Sequence, residues 1–288
     1  MVDPERIMGG RSLGNEYFKL LEFSNRIDGE AIVALLTGKV AAVIFRDAVP
    51  RATCDILVRN FWRNPGRRER SDGVPGHFIG PYHYGKETAA YLREVCATKP
   101  DIDEFYSGIE DPCESLRSET KKALAVRGIS VRAAMHNGIT GAGSRALCWT
   151  APGKFLLDPH DDMAQLGDPR QTGFEIQAVR NHTVVAVNIY PHVPPHSGRY
   201  LQIWNIQPDD ACRQRLNLQH TGYPYSEAHL AEIESMVITV NTGDICLFNG
   251  AQVHAVLGEL DELPLHERRL LITFFMGLMD DSTAVWWT

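Results

Sequence analysis

The segment FLLDPHDDMAQL, residues 155–166, places one histidine and two aspartates at the end of an apolar run. His160 and Asp162 lie two residues apart, so on an extended backbone both side chains leave the same face, whereas Asp161 points the other way. An imidazole and a carboxylate on one face can take two adjacent positions on a divalent metal ion. The pattern therefore predicts a metal site, and the alternative is a solvated acidic turn.

A facial triad of two histidines and one carboxylate needs a second histidine from a distant strand. His254 fits by context: it follows GDICLFNGAQV (243–253), a predicted strand that ends in an Asn-Gly turn, and it opens the next strand, HAVLG. The chain between His160 and His254 is long enough for several strands to bring His254 back to the site. We therefore predict that His160, Asp162 and His254 are the catalytic metal ligands.

Two arginines, Arg268 and Arg269, begin the strongly apolar segment RRLLITFF. A guanidinium at the mouth of a barrel strand is costly unless it meets an anion, and its planar fork suits a carboxylate. After the metal motif, either arginine is a candidate for holding a carboxylate of 2-oxoglutarate, and we prefer Arg268. The alternative is a surface ion pair with Glu262 or Glu267.

Short apolar runs separated by turn residues fill the chain from about residue 131 onward and predict nine or so strands. They are VRAAMH, RALCWT, KFLLDPH, FEIQAV, TVVAVNIY, RYLQIWNI, SMVITV, DICLFN and RRLLITFFMGL, interrupted by a helical segment, SEAHLAEIE. Upstream, KVAAVIFRD (39–47) predicts a buried strand. Helices are expected with Pro50 in the first turn of one and at about 87–97 and 114–127. We predict one domain, 1–288, mainly β with flanking helices. A helical and strand buttress (1–130) would support a double-stranded β-helix core, a cupin-like jelly roll, over 131–288.

Composition limits the classes of function. Apolar residues make up 44% of the 288 residues and the formal charge is −7, with no basic block beyond RNPGRRER (63–70), so a nucleic-acid partner is not expected. No apolar stretch approaches the ~18 residues that span a bilayer, and the N-terminus does not resemble a signal peptide. The six scattered cysteines are typical of reduced, mostly buried thiols, so we expect a cytoplasmic protein with no membrane partner. The sequence leaves monomer and homodimer both open.

The order of these elements resembles that of the Fe(II)/2-oxoglutarate-dependent oxygenases. HxD comes first, a histidine follows GD…FNG, and arginine begins the last long strand. More narrowly, VNIYPHVPPHSGRYLQIWNIQP, GDICLFNGAQVHAV, RRLLITFF and the terminal VWWT resemble the free-standing small-molecule branch. That branch includes hydroxylases of N-substituted L-amino acids and hapalindole-type halogenases. The resemblance covers residues 130–288 well and the 39–63 region more loosely.

The resemblance implies that Fe(II) is bound by His160, Asp162 and His254 and that an arginine holds the far carboxylate of 2-oxoglutarate. It implies O2-dependent decarboxylation of 2-oxoglutarate to succinate, coupled to oxidation of an unactivated C–H bond. The substrate would be an N-substituted amino acid or an alkaloid-type compound of specialised metabolism. The halogenases have glycine or alanine at the carboxylate position; Asp162 stands there in this chain, which favours hydroxylation over halogenation. Desaturation and cyclisation stay open.

Substrate contacts are expected from loops at the barrel mouth. PGHFIGPYHYG (75–85) mixes glycines with amphipathic aromatic residues and is the candidate lid, with Phe78, Ile79 and Tyr82 as contacts; a packed surface loop is the alternative. His136, Asn137 and Arg145, on or next to the first β runs, are candidates for binding a polar or acidic substrate group, or else they face solvent.

Two other classes of protein are compatible with parts of the pattern. A cupin-type metal dioxygenase that does not use 2-oxoglutarate would share the jelly roll but commonly has a larger histidine set. A non-catalytic β-sandwich binding module would carry HDD as a solvated turn. Iron binding and its dependence on His160 distinguish the module from an enzyme.

Overall fold

A computed structural model of the chain describes residues 8–70, 74–150, 153–195, 198–258 and 263–288. The elements in these ranges follow in chain order. They are β1 (Gly10–Arg11), β2 (Leu20–Ser24), α1 (Gly29–Leu36), β3 (Ala42–Arg46), α2 (Arg51–Arg63), β4 (Arg68–Glu69), β5 (Gly76–Ile79), α3 (Thr88–Phe105), α4 (Pro112–Ala125), β6 (Ser130–Ala133), β7 (Met135–His136), β8 (Ile139–Thr140), β9 (Arg145–Trp149), β10 (Phe155–His160), β11 (Val184–His192), β12 (Tyr200–Trp204), β13 (Gln207–Pro208), α5 (Asp210–Arg215), α6 (Glu227–Leu230), β14 (Ser235–Thr239), β15 (Ile245–Asn249), β16 (His254–Leu257), β17 (Leu270–Leu278) and β18 (Thr283–Trp287).

Two facing antiparallel sheets form the core. The larger sheet contains the strand order β9-β17-β11-β15, and the smaller one has the order β10-β16-β12-β14. Consecutive strands therefore alternate between the sheets over much of the core, which is the winding of a double-stranded β-helix. The predicted jelly-roll core is confirmed. The larger sheet is extended on one side by β3 and β2 and on the other by β5 and β4.

The longest strands, β11 and β17, are buried almost throughout because both of their faces are covered. On β17, Leu271 and Phe275 belong to the apolar cluster inside the jelly roll. Leu270 and Ile272, on the opposite face, pack in a second cluster with helix residues such as Leu57. This period of two is what lets one strand line a cavity and anchor the helical layer.

The helices form that outer layer. In α2, Cys54, Leu57 and Phe61 are buried and follow the spacing of one helical face. Pro50, predicted in the first turn, is the residue immediately before the helix. Helix α1 begins after Asp28, whose carboxylate accepts a hydrogen bond from the backbone N–H of Ala31 at 3.1 Å.

Three predicted elements differ from the structure. FEIQAV is a 3-10 helix, Glu175–Asn181, and not a strand, because Ile176 and Val179 are buried at helical spacing. SEAHLAEIE contributes only the four-residue α6. The segment 75–85 is not all loop, since Gly76–Ile79 pairs with β9 as β5.

None of the six cysteines, all of which lie in the described ranges, forms a disulfide, and all but Cys96 are buried, in agreement with the predicted burial. In the ranges given above, no helix is both long and apolar enough to cross a membrane.

Candidate metal centre and substrate cavity

Strand pairing brings the two predicted histidines together. His160 ends β10 and His254 begins β16, and the antiparallel register of these strands places the two residues directly opposite each other. Their imidazole ring centroids lie 4.1 Å apart. The pairing of β10 with β16 in the smaller sheet thus brings together two histidines that are far apart in sequence.

Asp162 is brought to the same point by the turn before β16. Its backbone N–H donates to the carbonyl oxygen of Gly250 at 2.7 Å. A Cβ atom on Gly250 would lie 2.7 Å from Oδ2 of Asp162, so the close approach requires glycine. The Asn-Gly turn predicted from the sequence therefore seats the carboxylate as well as reversing the chain.

The donor atoms are oriented by backbone and side-chain hydrogen bonds. Nδ1 of His160 donates to the carbonyl of Asp158 at 2.7 Å, and Nδ1 of His254 donates to the carbonyl of Gln252 at 2.9 Å. Nε2 of each histidine is therefore unprotonated, and its lone pair can bind a metal ion. The amide of Gln165 donates to Oδ1 of Asp162 at 3.0 Å, and Oδ2 lies 3.4 Å from Nε2 of His254.

One ligand atom from each of His160, Asp162 and His254 lies within 4.8 Å of the other two. Two imidazole nitrogens and one carboxylate oxygen form the donor set of a mononuclear Fe(II) site with open positions. The residues present fit such an ion.

Burial sets the electrostatics of the centre. It raises the pKa of the Asp162 carboxyl well above its usual range, with the neighbouring charge of Asp161 acting in the same direction. Burial also lowers the pKa of His160, and burial together with His160 lowers the pKa of His254 far below its usual value. Neutral imidazoles are metal ligands, and a bound cation favours the ionised carboxylate. The two histidines therefore resist protonation, and the nearby charge of Arg145 opposes the rise in the pKa of Asp162.

A cavity of about 80 Å³ extends from the three donors into the jelly roll. We call it the inner chamber; its polar lining beyond the donors includes Asn188, Thr273, Arg145 and Arg269. Arg269 is completely buried and donates to the hydroxyl of Tyr190 at 3.0 Å. It pairs with no acidic side chain in the described ranges, and its Nε has no hydrogen-bond partner there. The inner chamber thus contains a fixed cation without a counter-ion.

The preference for Arg268 is not supported by its position. Arg268 points away from the inner chamber and donates to the carbonyls of Leu263 and Thr150 at 3.1 and 3.0 Å. The alternation along β17 explains the placement, since Arg269 shares its face with Leu271 and Thr273. Arg268 instead shares its face with Leu270 and Ile272, which point away from the inner chamber. The proposed ion pair with Glu262 lies outside the described residues.

The centre also opens outward into a second cavity of about 110 Å³, which we call the mouth. Arg145 lines both cavities and stacks on Tyr82, with its guanidinium carbon 5.4 Å from the ring centroid. No hydrogen bond or ion pair to Arg145 is present among the described residues, and its Nε is buried without a partner. Burial and nearby Arg70 lower the pKa of Arg145 to about 10, which still leaves it charged at neutral pH.

Of the six predicted substrate contacts, Tyr82 and Arg145 line the mouth. Phe78 is buried in the inner apolar cluster, and Ile79 faces the helical layer on the other side of the sheet. His136 and Asn137 lie on the β7–β8 hairpin, where Asn137 adopts a left-handed turn conformation. These four residues line neither cavity. The lid prediction is wrong for 76–79, because strand pairing with β9 fixes this segment.

Several cavity residues were missed from the sequence. Trp149 and Tyr223 line the mouth, together with Arg70, whose guanidinium carbon lies 4.9 Å from the Trp149 ring centroid. The period-two pattern of β9 offered one signal, since Trp149 shares its face with Arg145. Tyr223 lies in an irregular segment, where no periodicity indicates the direction of a side chain.

Comparison with known proteins agrees with this arrangement. No protein-family model matches the chain. An L-isoleucine 3(1)-dioxygenase of Pantoea ananatis (strain AJ13355) is 30% identical over 258 residues, which cover 87% of this chain and 84% of the relative. A crystal structure of an N-substituted L-amino acid dioxygenase from Burkholderia ambifaria AMMD superposes with a TM-score of 0.51 at 14% identity, covering 90% of this chain and 91% of that one. HygX from Streptomyces hygroscopicus, with nickel and 2-oxoglutarate bound, gives a TM-score of 0.48 at 13% identity and covers 87% of this chain and 86% of that one.

The jelly roll, a facial cluster of two histidines and one carboxylate, and a buried arginine define a mononuclear iron oxygenase. The chain belongs to the Fe(II)/2-oxoglutarate-dependent oxygenase family, together with the isoleucine dioxygenase. It is an oxygenase of small molecules that uses Fe(II), 2-oxoglutarate and O2. This assignment excludes the 2-oxoglutarate-independent cupin dioxygenase and the non-catalytic module.

Proposed function

We propose that the protein hydroxylates an unactivated C–H bond of a small aliphatic amino acid or an N-substituted derivative of one. His160, Asp162 and His254 would bind the iron. The observation that carries the proposal is a pair of arginines that line the inner chamber around these three donors, the fully buried Arg269 and the partly buried Arg145, neither of which forms an ion pair among the described residues. Buried cations without counter-ions are costly, so each is expected to meet an anionic ligand.

Arg269 would bind the far carboxylate of 2-oxoglutarate. It lines the inner chamber and is absent from the lining of the mouth, so a ligand that reaches it must occupy the inner chamber. Its contacts with Tyr190 and with the carbonyl of Gly198 at 3.2 Å hold the guanidinium in place and leave Nε available. A planar fork held in this way matches a carboxylate in both geometry and charge.

Arg145 would bind the substrate carboxylate. It lies where the two cavities meet, and Tyr82 covers one face of its guanidinium. The remaining mouth wall is largely apolar, with Val74, Leu157 and Phe275 as its aliphatic and aromatic surfaces. A carboxylate held at Arg145 would leave an aliphatic side chain to pack on this wall next to the iron ligands.

When bound, the iron couples O2-dependent decarboxylation of 2-oxoglutarate to oxidation of the substrate C–H bond. The protein's own contribution is positional. Gln165 and the two backbone carbonyls fix the donor atoms, Arg269 and Arg145 fix the two organic anions, and the apolar wall excludes water. Asp162 keeps a carboxylate on the iron, which favours hydroxylation over halogenation.

The relatives guide the choice of substrates. The isoleucine dioxygenase is named for a free amino acid, and the Burkholderia enzyme is named for N-substituted ones. A place in specialised metabolism and a cytoplasmic location stay predictions, as do the single domain over 1–288 and the choice between monomer and homodimer.

The experiment measures substrate-stimulated succinate release with a panel of L-valine, L-leucine, L-isoleucine and their N-acetyl and N-succinyl derivatives. Mass spectrometry then identifies a product 16 mass units heavier. The Arg145→Gln variant is compared with Arg132→Gln, an arginine on β6 that pairs with Glu175 outside both cavities.

We expect at least one panel member to stimulate succinate release. Arg145→Gln should raise the KM for that substrate roughly 10- to 100-fold, because a charge-assisted hydrogen bond contributes about 1.5–3 kcal/mol. Arg132→Gln should leave it unchanged. Succinate release that no panel member stimulates would contradict the proposed substrate class, and an unchanged KM in Arg145→Gln would contradict the proposed role of Arg145.

A further inference from the structure

Asp161, the residue between the two predicted ligands of the HDD sequence, is buried and ion-paired. Its side chain is fully buried, and that of Arg213 is only 4% exposed. Nη2 of Arg213 donates to Oδ1 of Asp161 at 2.9 Å, and Nε donates to Oδ2 at 3.1 Å. The two parallel bonds form a bidentate pair at the residue that lies between two proposed metal ligands in sequence.

Two further donors complete the coordination of this carboxylate. The hydroxyl of Tyr225 donates to Oδ2 at 2.7 Å, and the backbone N–H of Ala164 donates to Oδ1 at 2.9 Å. Each oxygen of Asp161 therefore accepts two hydrogen bonds, and all of their donors come from protein groups. A carboxylate satisfied in this way has no remaining capacity for a metal ion or substrate.

The segment 221–225, which we call the brace, holds the same loop through its backbone. The N–H of Asp161 donates to the carbonyl of Gly222 at 3.0 Å, and the N–H of Tyr225 donates to the carbonyl of Pro159 at 2.8 Å. Gly222 has φ +59°, and a Cβ there would lie 2.3 Å from the carbonyl oxygen of Asp161. The brace is thus fitted closely against the residues on either side of His160.

The brace also reaches the mouth. Thr221 and Tyr223 line it, and the hydroxyl of Tyr223 donates to the Asp158 carboxylate at 2.9 Å. Asp158 is the residue whose carbonyl accepts from His160. One short segment therefore contacts both the substrate side of the mouth and the residues that orient an iron ligand.

We propose that Asp161 is a positioning residue: its buried pair with Arg213 and its bond to Tyr225 lock the brace onto the ligand loop and fix the directions of His160 and Asp162. This inference rests on the proposed iron ligands. Asp161 is among the residues that line the mouth, but its carboxylate oxygens are occupied by four hydrogen bonds, so it would bind neither iron nor substrate through them. It would determine how well the preceding histidine and the following carboxylate converge. Outer-shell partners of this kind typically alter metal affinity 10- to 100-fold.

The test compares Asp161→Asn and Tyr225→Phe with Asp244→Asn as a matched control. Asp244 is also a buried aspartate, 1% exposed, and pairs with Arg46 at 2.7 Å. It lies before β15, at the opposite end of that strand from the turn leading to His254. Fe(II) affinity is measured anaerobically by competition with a chromophoric chelator, well below the melting temperature of each apo-protein. The Co(II) absorption spectrum reports the ligand geometry.

We expect Asp161→Asn to weaken Fe(II) binding at least about tenfold and to change the Co(II) spectrum. Tyr225→Phe, which retains the ion pair, should weaken Fe(II) binding by a smaller factor, and Asp244→Asn should bind both metals like the wild type. Wild-type affinity and spectrum in Asp161→Asn would overturn the inference. Equal weakening in Asp244→Asn would also overturn it, because the effect would then be one of general stability.

The wild type and His254→Ala separate this inference from the proposed ligand set. Tight Fe(II) binding by the wild type that is lost in His254→Ala supports the proposed ligand set, regardless of the result for Asp161→Asn. Wild-type protein that binds neither Fe(II) nor Co(II) overturns the proposed ligands and this inference with them. If Asp161→Asn does not fold, Tyr225→Phe becomes the deciding variant, and wild-type Fe(II) affinity in it would overturn the inference.

Discussion

Arg269 is the residue whose environment most constrains the chemistry of the inner chamber. It is fully buried, donates to the Tyr190 hydroxyl and to backbone carbonyls, and faces no acidic side chain among the residues described. A guanidinium held in this way would attract a carboxylate into the inner chamber. Arg268, its neighbour in sequence, donates to backbone carbonyls outside the cavity.

This difference predicts opposite outcomes for two adjacent substitutions. Arg269→Gln should raise the KM for 2-oxoglutarate roughly 10- to 100-fold through loss of charge-assisted hydrogen bonds, and Arg269→Lys should raise it less because the charge is retained. Arg268→Gln serves as the matched control and should stay near the wild-type value. Steady-state succinate release at varied 2-oxoglutarate provides the measurement, and the reverse ranking of the two glutamine variants would contradict the assignment.

Local spacing made part of the site predictable from sequence. His160 and Asp162 are two residues apart, and His254 directly follows a recognisable turn, so their roles needed only short-range patterns. Choosing between Arg268 and Arg269 requires knowing which face of β17 is directed into the inner chamber. Thr273 indicates that face, because it is polar, lies on the same face as Arg269 and lines the inner chamber. The mouth could not be predicted in the same way, because Arg70, Trp149, Tyr223 and Phe275 come from separate parts of the chain.

Among the elements, the turn between β15 and β16 has a steric requirement that acts directly on a proposed metal ligand. Gly250 accepts a hydrogen bond from the Asp162 backbone and leaves no room for a side chain next to Oδ2. Gly250→Ala should displace the carboxylate and weaken Fe(II) binding about tenfold or more, as other losses of ligand support do. Chelator competition measures the affinity, and the apo melting temperature reports the fold. Unchanged affinity would show that the turn adjusts without moving Asp162.

The C-terminal strand β18 packs against the segment 81–86 through His83. Nε1 of Trp287 donates to Nε2 of His83 at 3.2 Å, and Nδ1 of His83 lies 3.1 Å from the amide oxygen of Gln171, to which it donates. Burial lowers the pKa of His83 to about 4, with the bond to Gln171 opposing the shift. This histidine is therefore neutral in the folded protein at mildly acidic pH.

The shift in the pKa of His83 predicts a pH dependence of stability. Between about pH 6.5, the ordinary pKa of histidine, and pH 4, the unfolded chain binds a proton here that the folded chain does not, so stability falls as the pH falls. His83→Gln can replace both hydrogen bonds without titrating. Melting temperatures at pH 7 and 5 should differ less in His83→Gln than in the wild type. An equal or larger difference in the variant would contradict this account.

Element predictions were correct where the apolar pattern extended over a long segment and wrong where the apolar run was short. The strands β11, β15 and β17 carry continuous apolar runs because both faces are covered, and they were predicted correctly. FEIQAV contains too few residues for its period to separate a strand from the observed 3-10 helix. Likewise, the glycines in 75–85 suggested a loop, whereas pairing with β9 makes 76–79 a strand.

Across the whole molecule, the two halves share their apolar clusters. Ile44 from β3 packs in the same cluster as Phe248 of β15, and Phe61 from α2 packs in the same cluster as Phe274 of β17. Shared cores favour unfolding as one cooperative unit, which supports the predicted single domain.

Ligand binding should therefore stabilise the whole molecule in one step. At 100 times its dissociation constant each ligand contributes about 2.7 kcal/mol, so the metal ion and 2-oxoglutarate together contribute about 5.4 kcal/mol, which for a chain of this size corresponds to a rise in Tm of roughly 9 °C. Anaerobic scanning calorimetry with Mn(II), a redox-stable substitute for Fe(II), and 2-oxoglutarate should show one transition shifted upward. His160→Ala should show no shift. Two transitions, of which ligands move only one, would contradict the single domain.

The central claim is that His160, Asp162 and His254 form the Fe(II) centre to which 2-oxoglutarate binds. The most direct test is the anaerobic visible absorption spectrum of the protein with Fe(II), recorded before and after addition of 2-oxoglutarate. It is repeated with His254→Ala and with His192→Ala, a histidine that contacts the backbone of Glu267 and lines neither cavity. We predict a charge-transfer band that requires 2-oxoglutarate, persists in His192→Ala and is lost in His254→Ala. A band that survives in His254→Ala, or wild-type protein that binds iron without developing one, would contradict the claim.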